Sequence, residues 1–189
     1  HAEKKLKDLD QLPFPAWDLF PLKNYWGLKY AHGPFETHRY MPLLTSRGCP
    51  YKCRFCVIPE TNDVSWRHRS PKHVVAEMKH WMDQYGVREF HIEDLNPTVN
   101  DARTQEICQE ILRQNLKIIW KICAGTKVET IKSEETVRLM YEAGCRYVSI
   151  SPETGSPEVL KKIGKPFNLA HAKRMIALMH KMGIRTQAC

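Results

Sequence analysis

Apolar residues along the chain follow two periods, one typical of helices and one typical of buried strands. From residue 41 onward, short apolar runs alternate with longer amphipathic segments. The runs that predict strands are 41–44, 88–93, 117–123, 147–151 and 184 onward. Between them apolar residues recur at helical spacing, as in the series Val74, Val75, Met78, Trp81, Met82 and Tyr85. The pattern therefore predicts strands and helices in regular alternation.

Glycine marks the same kind of boundary three times. Gly86, Gly144 and Gly183 each stand where a predicted helix ends and a strand begins, and each is followed two positions later by arginine. Glycine adopts the left-handed conformation that ends many helices without a Cβ penalty. Repeated helix-to-strand boundaries with right-handed crossovers predict an α/β fold with a parallel sheet, which could curl into a barrel.

The first 40 residues follow neither period. They contain Pro13, Pro15, Pro21 and Pro34, interleaved with aromatic residues. Proline disfavours regular helix, and the aromatic side chains need an apolar surface to lie against. We therefore predict an extended linker or strap over residues 1–40, rich in proline and aromatics, and a folded domain over residues 41–189.

Composition fits one globular domain of 189 residues, of which 42% are hydrophobic. Seven cysteines and no apolar signal segment at the N-terminus favour a reducing compartment, so we predict a cytoplasmic protein. No run approaches the roughly 18 apolar residues of a transmembrane helix. The net charge of +8 is scattered along the chain, which favours a solvated surface over a nucleic-acid face without excluding the latter.

Three cysteines carry the clearest chemical signal. Cys49, Cys53 and Cys56 have the spacing C-x3-C-x2-C and follow the first predicted strand. Three thiolates on one loop can ligate three irons of a cubane cluster and leave the fourth iron open, and chelation by S-adenosylmethionine explains that vacancy. A zinc site would pair C-x2-C with a second Cys or His pair, which the remaining cysteines do not supply. We predict a 4Fe-4S cluster on these three thiols.

Segment 45–56, TSRGCPYKCRFC, resembles the cluster loop of radical S-adenosylmethionine (radical SAM) enzymes, including the aromatic residue before the third cysteine. The likeness runs from about residue 41 to the end. It implies a partial (β/α)6 TIM-like barrel, truncated here after about four βα units and a fifth strand. It also implies reductive cleavage of S-adenosylmethionine to a 5′-deoxyadenosyl radical, which abstracts a hydrogen atom from the substrate.

Five side chains are predicted to bind S-adenosylmethionine, and no catalytic side chain is assigned. In parallel βα barrels the chemistry lies at the C-terminal ends of strands. Glu93 and Asp94 follow the second predicted strand, where the family binds the cofactor's amino group, although the family's glycines are absent here. Ser151 and Glu153 resemble the ribose-binding stretch after the fourth strand, and Phe55 comes from the cluster loop. Helix capping or pairing with arginine is the alternative role for Glu93 and Asp94.

Segments 8–18, 69–71 and 96–100 are similar to cobalamin-dependent members of this family. The similarity implies cobalamin as a possible further cofactor, bound mainly by a domain outside this chain. It also implies a small-molecule substrate and a reductant such as flavodoxin or ferredoxin. The predicted reaction is methylation or oxidative cyclisation of an unactivated carbon. The alternatives are a tRNA methylthiotransferase-like radical SAM enzyme and a non-catalytic module that binds a metal or cluster.

Overall fold

A computed structural model describes residues 5–62 and 64–189. The strands within these ranges are β1 (Tyr40–Leu43), β2 (Ser46–Gly48), β3 (Trp66–His68), β4 (Glu89–Ile92), β5 (Ile119–Thr126), β6 (Cys145–Ile150) and β7 (Arg185–Ala188). Five of them form one parallel sheet in the order β1-β4-β5-β6-β7. This sheet confirms the predicted α/β fold, with strands close to the five predicted apolar runs.

Among the described α-helices, five lie between strands of the parallel sheet, one precedes β1 and one lies in the loop between β2 and β3. They are α1 (Leu22–Gly27), α2 (Ile58–Asn62), α3 (Pro71–Tyr85), α4 (Asp101–Arg113), α5 (Glu134–Glu142), α6 (Pro157–Lys162) and α7 (Leu169–Met182). The three boundary glycines, Gly86, Gly144 and Gly183, all have left-handed backbones, with φ of 65°, 97° and 91°. The predicted glycine boundaries are thus confirmed, because each φ lies in the region that side-chain-bearing residues avoid.

The hydrophobic core lies between one face of the sheet and the helices. Phe90 and Ile92 of β4 are buried there together with Val148 of β6. From the helices, Met78 of α3 and Met140 of α5 belong to the same cluster. Side chains alternate between the two faces of a strand, so residues between these core positions project to the opposite face. We call that opposite face, which carries Glu89, His91 and Lys121, the inner face.

The N-terminal segment covers part of the inner face. Backbone N–H groups of Glu36 and Thr37 donate to the Glu89 carboxylate at 2.8 and 2.6 Å, and Lys121 Nζ donates to the carbonyl of Pro34 at 2.5 Å. Earlier in the segment, Asp10 accepts a hydrogen bond from the backbone of Ser70 at 2.8 Å. Residues 1–4 of the predicted strap lie outside the described residues.

The same segment contains a short helix where we expected extended chain. Helix α1 begins after Pro21, which occupies the N-cap position. A proline at the start of a helix loses no hydrogen bond, because the first turn has no carbonyl partner for its N–H. Trp26 of α1 donates its indole N–H to the carbonyl of Tyr40 at 2.9 Å, which attaches the helix to β1.

Strands β2 and β3 form an antiparallel hairpin outside the main sheet, which the sequence pattern did not predict. Each strand has three residues, too few to show a period of two. The cysteine-bearing loop lies between them. None of the helices in the described ranges combines the length and apolar character that a membrane span needs.

Candidate cluster and cofactor site

The three predicted cluster cysteines lie on the loop that joins β2 to β3. Cys49 follows β2 directly, and all three thiols are free and half-buried. Burial raises the pKa of the Cys49 thiol, a backbone hydrogen bond from Tyr51 opposes the rise, and the nearby thiols of Cys53 and Cys56 add to it. The three predicted ligands therefore lie close enough for their negative charges to repel one another when the thiols are ionised.

A buried polar network fixes the base of this loop. Asp94 accepts hydrogen bonds from the backbone N–H and the hydroxyl of Thr45, both at 2.7 Å, and from the hydroxyl of Ser46 at 2.5 Å. Arg103 donates to the carbonyl of Thr45 at 2.8 Å, and Trp66 of β3 donates to the Ser46 hydroxyl at 3.1 Å. We call these five residues the hairpin network. They join the end of β4 to both strands of the hairpin.

Asp94 is therefore placed differently from its sequence neighbour. Its side chain is 1% exposed, and both carboxylate oxygens have donors from the hairpin. The side chain of Glu93 is 26% exposed and contacts His32 Nδ1 at 2.7 Å. Alternation along the strand accounts for the split, because consecutive residues point to opposite faces. The geometry supports a positioning role for Asp94 beneath the loop.

The far side of the loop docks on the end of α6. Arg54 donates from its backbone to the carbonyl of Ile163 at 2.9 Å and from its guanidinium to the carbonyl of Lys162 at 3.1 Å. Lys165 Nζ lies 5.9 Å from the ring centre of Phe55, within range of a cation–π contact. The loop is thus held at one end by β4 and at the other by α6.

Lys165 also joins the loop to Glu153. Its Nζ lies 2.5 Å from Glu153 Oε1, and the lysine is only 8% exposed. Burial raises the pKa of the Cys53 thiol, and the positive charge of Lys165 works in the opposite direction. The sequence analysis missed Lys165, because a lysine far along the chain carries no spacing signal. The structure places a buried cation between the predicted cluster ligands and a predicted cofactor ligand.

Glu153 has an uncommon backbone. Its φ is +65°, in the left-handed region that few residues with side chains occupy. Such strain is frequent at binding sites, where the surrounding contacts hold it in place. On the α6 side of Glu153 lies an open cavity of about 420 Å³, lined in part by Thr154, Gly155 and Phe167. The strained residue therefore borders a recess.

Ser151 lies against Gly125 at the end of β5. A Cβ atom at Gly125 would be 1.7 Å from Ser151 Oγ, so the serine side chain occupies the space that glycine leaves. The backbone of Ser151 donates to the carbonyl of Thr126 at 3.2 Å. The predicted residues Ser151 and Glu153 thus follow the same strand, and Glu153 is the one in contact with Lys165.

A second charged network lies on the inner face. Glu89 Oε1 is 2.6 Å from Lys121 Nζ and 2.8 Å from His91 Nε2, and all three residues are at most 1% exposed. Burial alone would raise the pKa of Glu89, but hydrogen bonds from His91, Lys121 and two backbone N–H groups lower it to about 2. We call Glu89, His91, Lys121 and the backbone of residues 36–37 the inner-face network. Sequence reasoning overlooked it, although a lysine inside the apolar run 117–123 was a usable signal.

A family profile and individual sequence relatives both identify the family of this chain. The profile of the radical SAM superfamily matches residues 43–189. The chain is 34% identical over 179 residues to cytidylyl-2-hydroxyethylphosphonate methyltransferase of Streptomyces wedmorensis, covering 94% of this chain and 33% of that protein. It is 30% identical over 191 residues to anaerobic magnesium-protoporphyrin IX monomethyl ester cyclase of Rubrivivax gelatinosus, covering 99% of this chain and 32% of the cyclase.

Solved structures show the same fold. The radical S-adenosylmethionine methyltransferase TsrM from Kitasatospora setae, solved with cobalamin and a [4Fe-4S] cluster, matches with a TM-score of 0.70 at 24% identity. That match covers 79% of this chain and 28% of TsrM. The cobalamin-dependent enzyme OxsB matches with a TM-score of 0.62 at 20% identity, over 78% of this chain and 23% of OxsB. The chain spans about a third of the length of the curated relatives described here.

Proposed function

The chain belongs to the radical SAM superfamily, and from that premise we propose that it is the cluster-binding core of a cobalamin-dependent enzyme. The enzyme would methylate or oxidatively cyclise an unactivated carbon. The observation that carries the proposal is the loop of three free thiols, held between β4 and α6 at the C-terminal edge of a parallel sheet. This is the edge at which βα folds collect their chemistry.

The donor set fits a 4Fe-4S cluster. Cys49, Cys53 and Cys56 would supply three thiolates, and no fourth cysteine adjoins them in the sequence. When bound, the cluster supplies the electron that cleaves S-adenosylmethionine to a 5′-deoxyadenosyl radical. Lys165, buried beside Cys53, would offset part of the negative charge of three thiolates. The tightly docked loop would hold the ligands in place before the cluster binds.

The remaining predicted residues would hold S-adenosylmethionine. Glu153 is the strongest candidate, because its strained backbone and its ion pair with Lys165 fix the carboxylate beside the cluster loop. Ser151 precedes it at the same strand end, and Phe55 offers a ring that is 57% exposed on the loop. Glu93, whose carboxylate is partly exposed, would bind the amino group of the cofactor. Asp94 would act indirectly, since it positions the hairpin.

The sequence relatives support the proposed reaction types. Their names describe a methyltransferase and a cyclase, the two reaction types that we propose for this protein. Cobalamin itself would be bound mainly by a domain outside residues 1–189, and residues 1–40 would form the strap that precedes the radical SAM core at 41–189. A small-molecule substrate, a flavodoxin or ferredoxin reductant and a cytoplasmic location complete the proposal.

Anaerobic reconstitution tests the radical chemistry. The full-length protein, loaded with iron and sulfide, should release 5′-deoxyadenosine when dithionite and S-adenosylmethionine are added. Replacing Cys53 with alanine should abolish both the cluster absorbance and the product, whereas Cys189→Ala, at an exposed thiol outside the triplet, should preserve both. Cluster-loaded protein that releases no 5′-deoxyadenosine would contradict the proposal.

The cofactor spectrum tests the cobalamin assignment separately. A full-length protein purified with added hydroxocobalamin should retain one corrin per chain and show its absorbance. Retention of the corrin by the Cys53→Ala variant would show that the two cofactors bind at different places. A cluster-active protein without bound corrin would instead favour the methylthiotransferase-like alternative, in which a tRNA is the substrate.

A further inference from the structure

Three side chains of different chemistry meet on the inner face, away from the cluster loop. A ring nitrogen of His91, the thiol of Cys123 and a carboxylate oxygen of Glu93 all lie within 4.8 Å of one another. His91 and Cys123 are buried, with 1% and 3% exposure. Imidazole, thiolate and carboxylate are the ligand types of protein-bound zinc. Two ligand atoms bonded to one zinc ion at about 2.3 Å lie at most about 4.6 Å apart. Small side-chain movements would therefore let all three ligand atoms bind the same ion.

Only one of the two ring nitrogens of His91 has a hydrogen-bond partner among the described residues. Its Nε2 lies 2.8 Å from Glu89 Oε1. The Glu89 carboxylate also accepts from Lys121 and from two backbone N–H groups. Because an ionised carboxylate can only accept hydrogen bonds, His91 Nε2 is the donor in this contact. Its Nδ1 is buried and has no hydrogen-bond partner within the described ranges 5–62 and 64–189. Buried polar atoms are rarely left unpaired, so this nitrogen calls for an explanation.

This arrangement is the one that metal-binding histidines use. A ligating histidine donates its second ring nitrogen to a carboxylate or carbonyl, which fixes the ring and leaves the other nitrogen's electron pair for the metal. Here Glu89 is that carboxylate. The ring of Tyr40 stacks on His91 at 4.5 Å with planes 12° apart, which further restricts its orientation. The imidazole is thus oriented as a metal-binding imidazole would be, and its Nδ1 is unpaired among the described residues.

We propose that His91, Glu93 and Cys123 form a binding site for a divalent metal ion of the zinc type on the inner face of the sheet. The fourth position would be taken by an oxygen of a bound molecule or by His32, whose Nδ1 contacts Glu93 at 2.7 Å and which would have to move towards the other ligands. Binding would displace the Cys123 thiol proton to solvent and leave the imidazole neutral. Two roles compete for Glu93, the cofactor's amino group and the metal, and the adjacent imidazole and thiol favour the metal.

X-ray absorption at the zinc edge tests the site in the intact protein. The full-length, cluster-loaded protein would be given one equivalent of Zn²⁺, and the edge is specific to zinc, so the cluster iron does not interfere. We expect one sulfur ligand at about 2.3 Å and nitrogen or oxygen ligands at about 2.0–2.2 Å. No sulfur ligand, or several, would overturn the proposal, because several would place the zinc on the cluster cysteines.

Zinc affinity in matched serine variants locates the sulfur. Competition with a chelating dye should show that Cys123→Ser binds zinc at least about tenfold more weakly. Mutating even a residue that only supports a metal ligand typically lowers metal affinity by about 10- to 100-fold. Cys189→Ser, which changes an exposed thiol outside the cluster of ligands, should bind as tightly as the unchanged protein. Equal affinity in the two variants overturns the proposal. Should Cys123→Ser fail to fold, the sulfur count of the unchanged protein decides alone.

Discussion

Two buried carboxylates, Glu89 in β4 and Asp94 just after it, each hold a different segment of the chain in place. Their pKa values shift in opposite directions. Glu89 binds the N-terminal segment through the inner-face network, and its pKa falls to about 2. Asp94 binds the cluster hairpin through the hairpin network, and burial raises its pKa because the hydrogen bonds from Ser46 and Thr45 do not fully offset the desolvation. Both side chains are at most 1% exposed, but Asp94 lies deeper in the protein, so desolvation raises its pKa more strongly.

The hydrogen-bond donors of the two carboxylates add to this difference. Glu89 receives a lysine, a histidine and two backbone N–H groups, and charged donors favour the ionised carboxylate strongly. Asp94 receives two hydroxyls and one backbone N–H, and the positive charge of Arg103 acts without a direct hydrogen bond among the described contacts. The inner face therefore depends on charge pairing, whereas the hairpin depends on hydrogen bonds that a neutral side chain could also make.

Lys121→Met should have the largest effect on stability. The methionine fills a similar volume but leaves the buried Glu89 carboxylate without its main countercharge. Removing one partner of a buried ion pair costs about 3–5 kcal/mol in the free energy of unfolding. Urea unfolding measures the loss, and the double variant Glu89→Gln with Lys121→Met should recover part of it. A loss below about 1 kcal/mol for Lys121→Met would show that the pair contributes little.

Acid should weaken the inner-face network in a defined window. Above pH 4.5, the ordinary pKa of a glutamate, Glu89 is ionised in both states and its contribution is complete. As the pH falls from 4.5 through about 2, the unfolded state takes up the proton first, so the free energy of unfolding decreases. A shift from 4.5 to about 2 corresponds to about 3 kcal/mol.

Urea unfolding over this pH range checks the prediction in two variants. Glu89→Gln removes the titrating group, so its stability should depend less on pH than that of the unchanged chain. Glu158→Gln is the matched control, because Glu158 pairs with Lys162 on the surface and both side chains are over 70% exposed. Identical pH profiles for the two variants would contradict the assignment to Glu89.

Periodicity and glycine position were enough to predict the parallel sheet and the edge at which the cysteine loop lies. They could not separate Glu93 from Asp94, because two acidic residues after a strand look equivalent until the hairpin covers one of them. The hairpin itself was beyond prediction, since three-residue strands carry no periodic signal. Lys165 was missed for a related reason: its contact with Glu153 arises from a turn after α6 that brings distant residues together.

Asp94→Ala should cost less than Lys121→Met, about 2–3 kcal/mol, because it leaves buried hydrogen-bond donors of the hairpin unpaired. Asp94→Asn is the informative control. Its amide oxygen can accept from the backbone of Thr45, and its NH₂ can donate to the rotatable hydroxyls of Thr45 and Ser46. We expect it to retain most of the stability and most of the iron bound after reconstitution. Equal losses in both variants would show that the hairpin needs the charge of Asp94 after all.

Gly48→Ala should have the smallest effect on global stability and the most local one, since Gly48 directly precedes Cys49. Its φ is +89°, and a Cβ atom there would lie 2.1 Å from the backbone oxygen of Ser65. Residues forced into such conformations cost about 1–3 kcal/mol, so we expect a loss near 2 kcal/mol and reduced iron content. Gly27→Ala is the control, because a Cβ at Gly27 meets nothing within 4 Å.

Hydrogen exchange can separate the two regions in the Gly48→Ala variant. The amides of β2 and β3 should lose protection, because the alanine pushes the hairpin strands apart. The amides of Glu36 and Thr37, which donate to Glu89, should keep theirs, since no contact of the hairpin network includes them. Protection lost equally at both places would mean that the strap and the cluster loop unfold as one unit. In that case Glu89 and Asp94 would stabilise one cooperative unit. The difference between their hydrogen-bond donors would then not make the stability of the strap independent of that of the cluster loop.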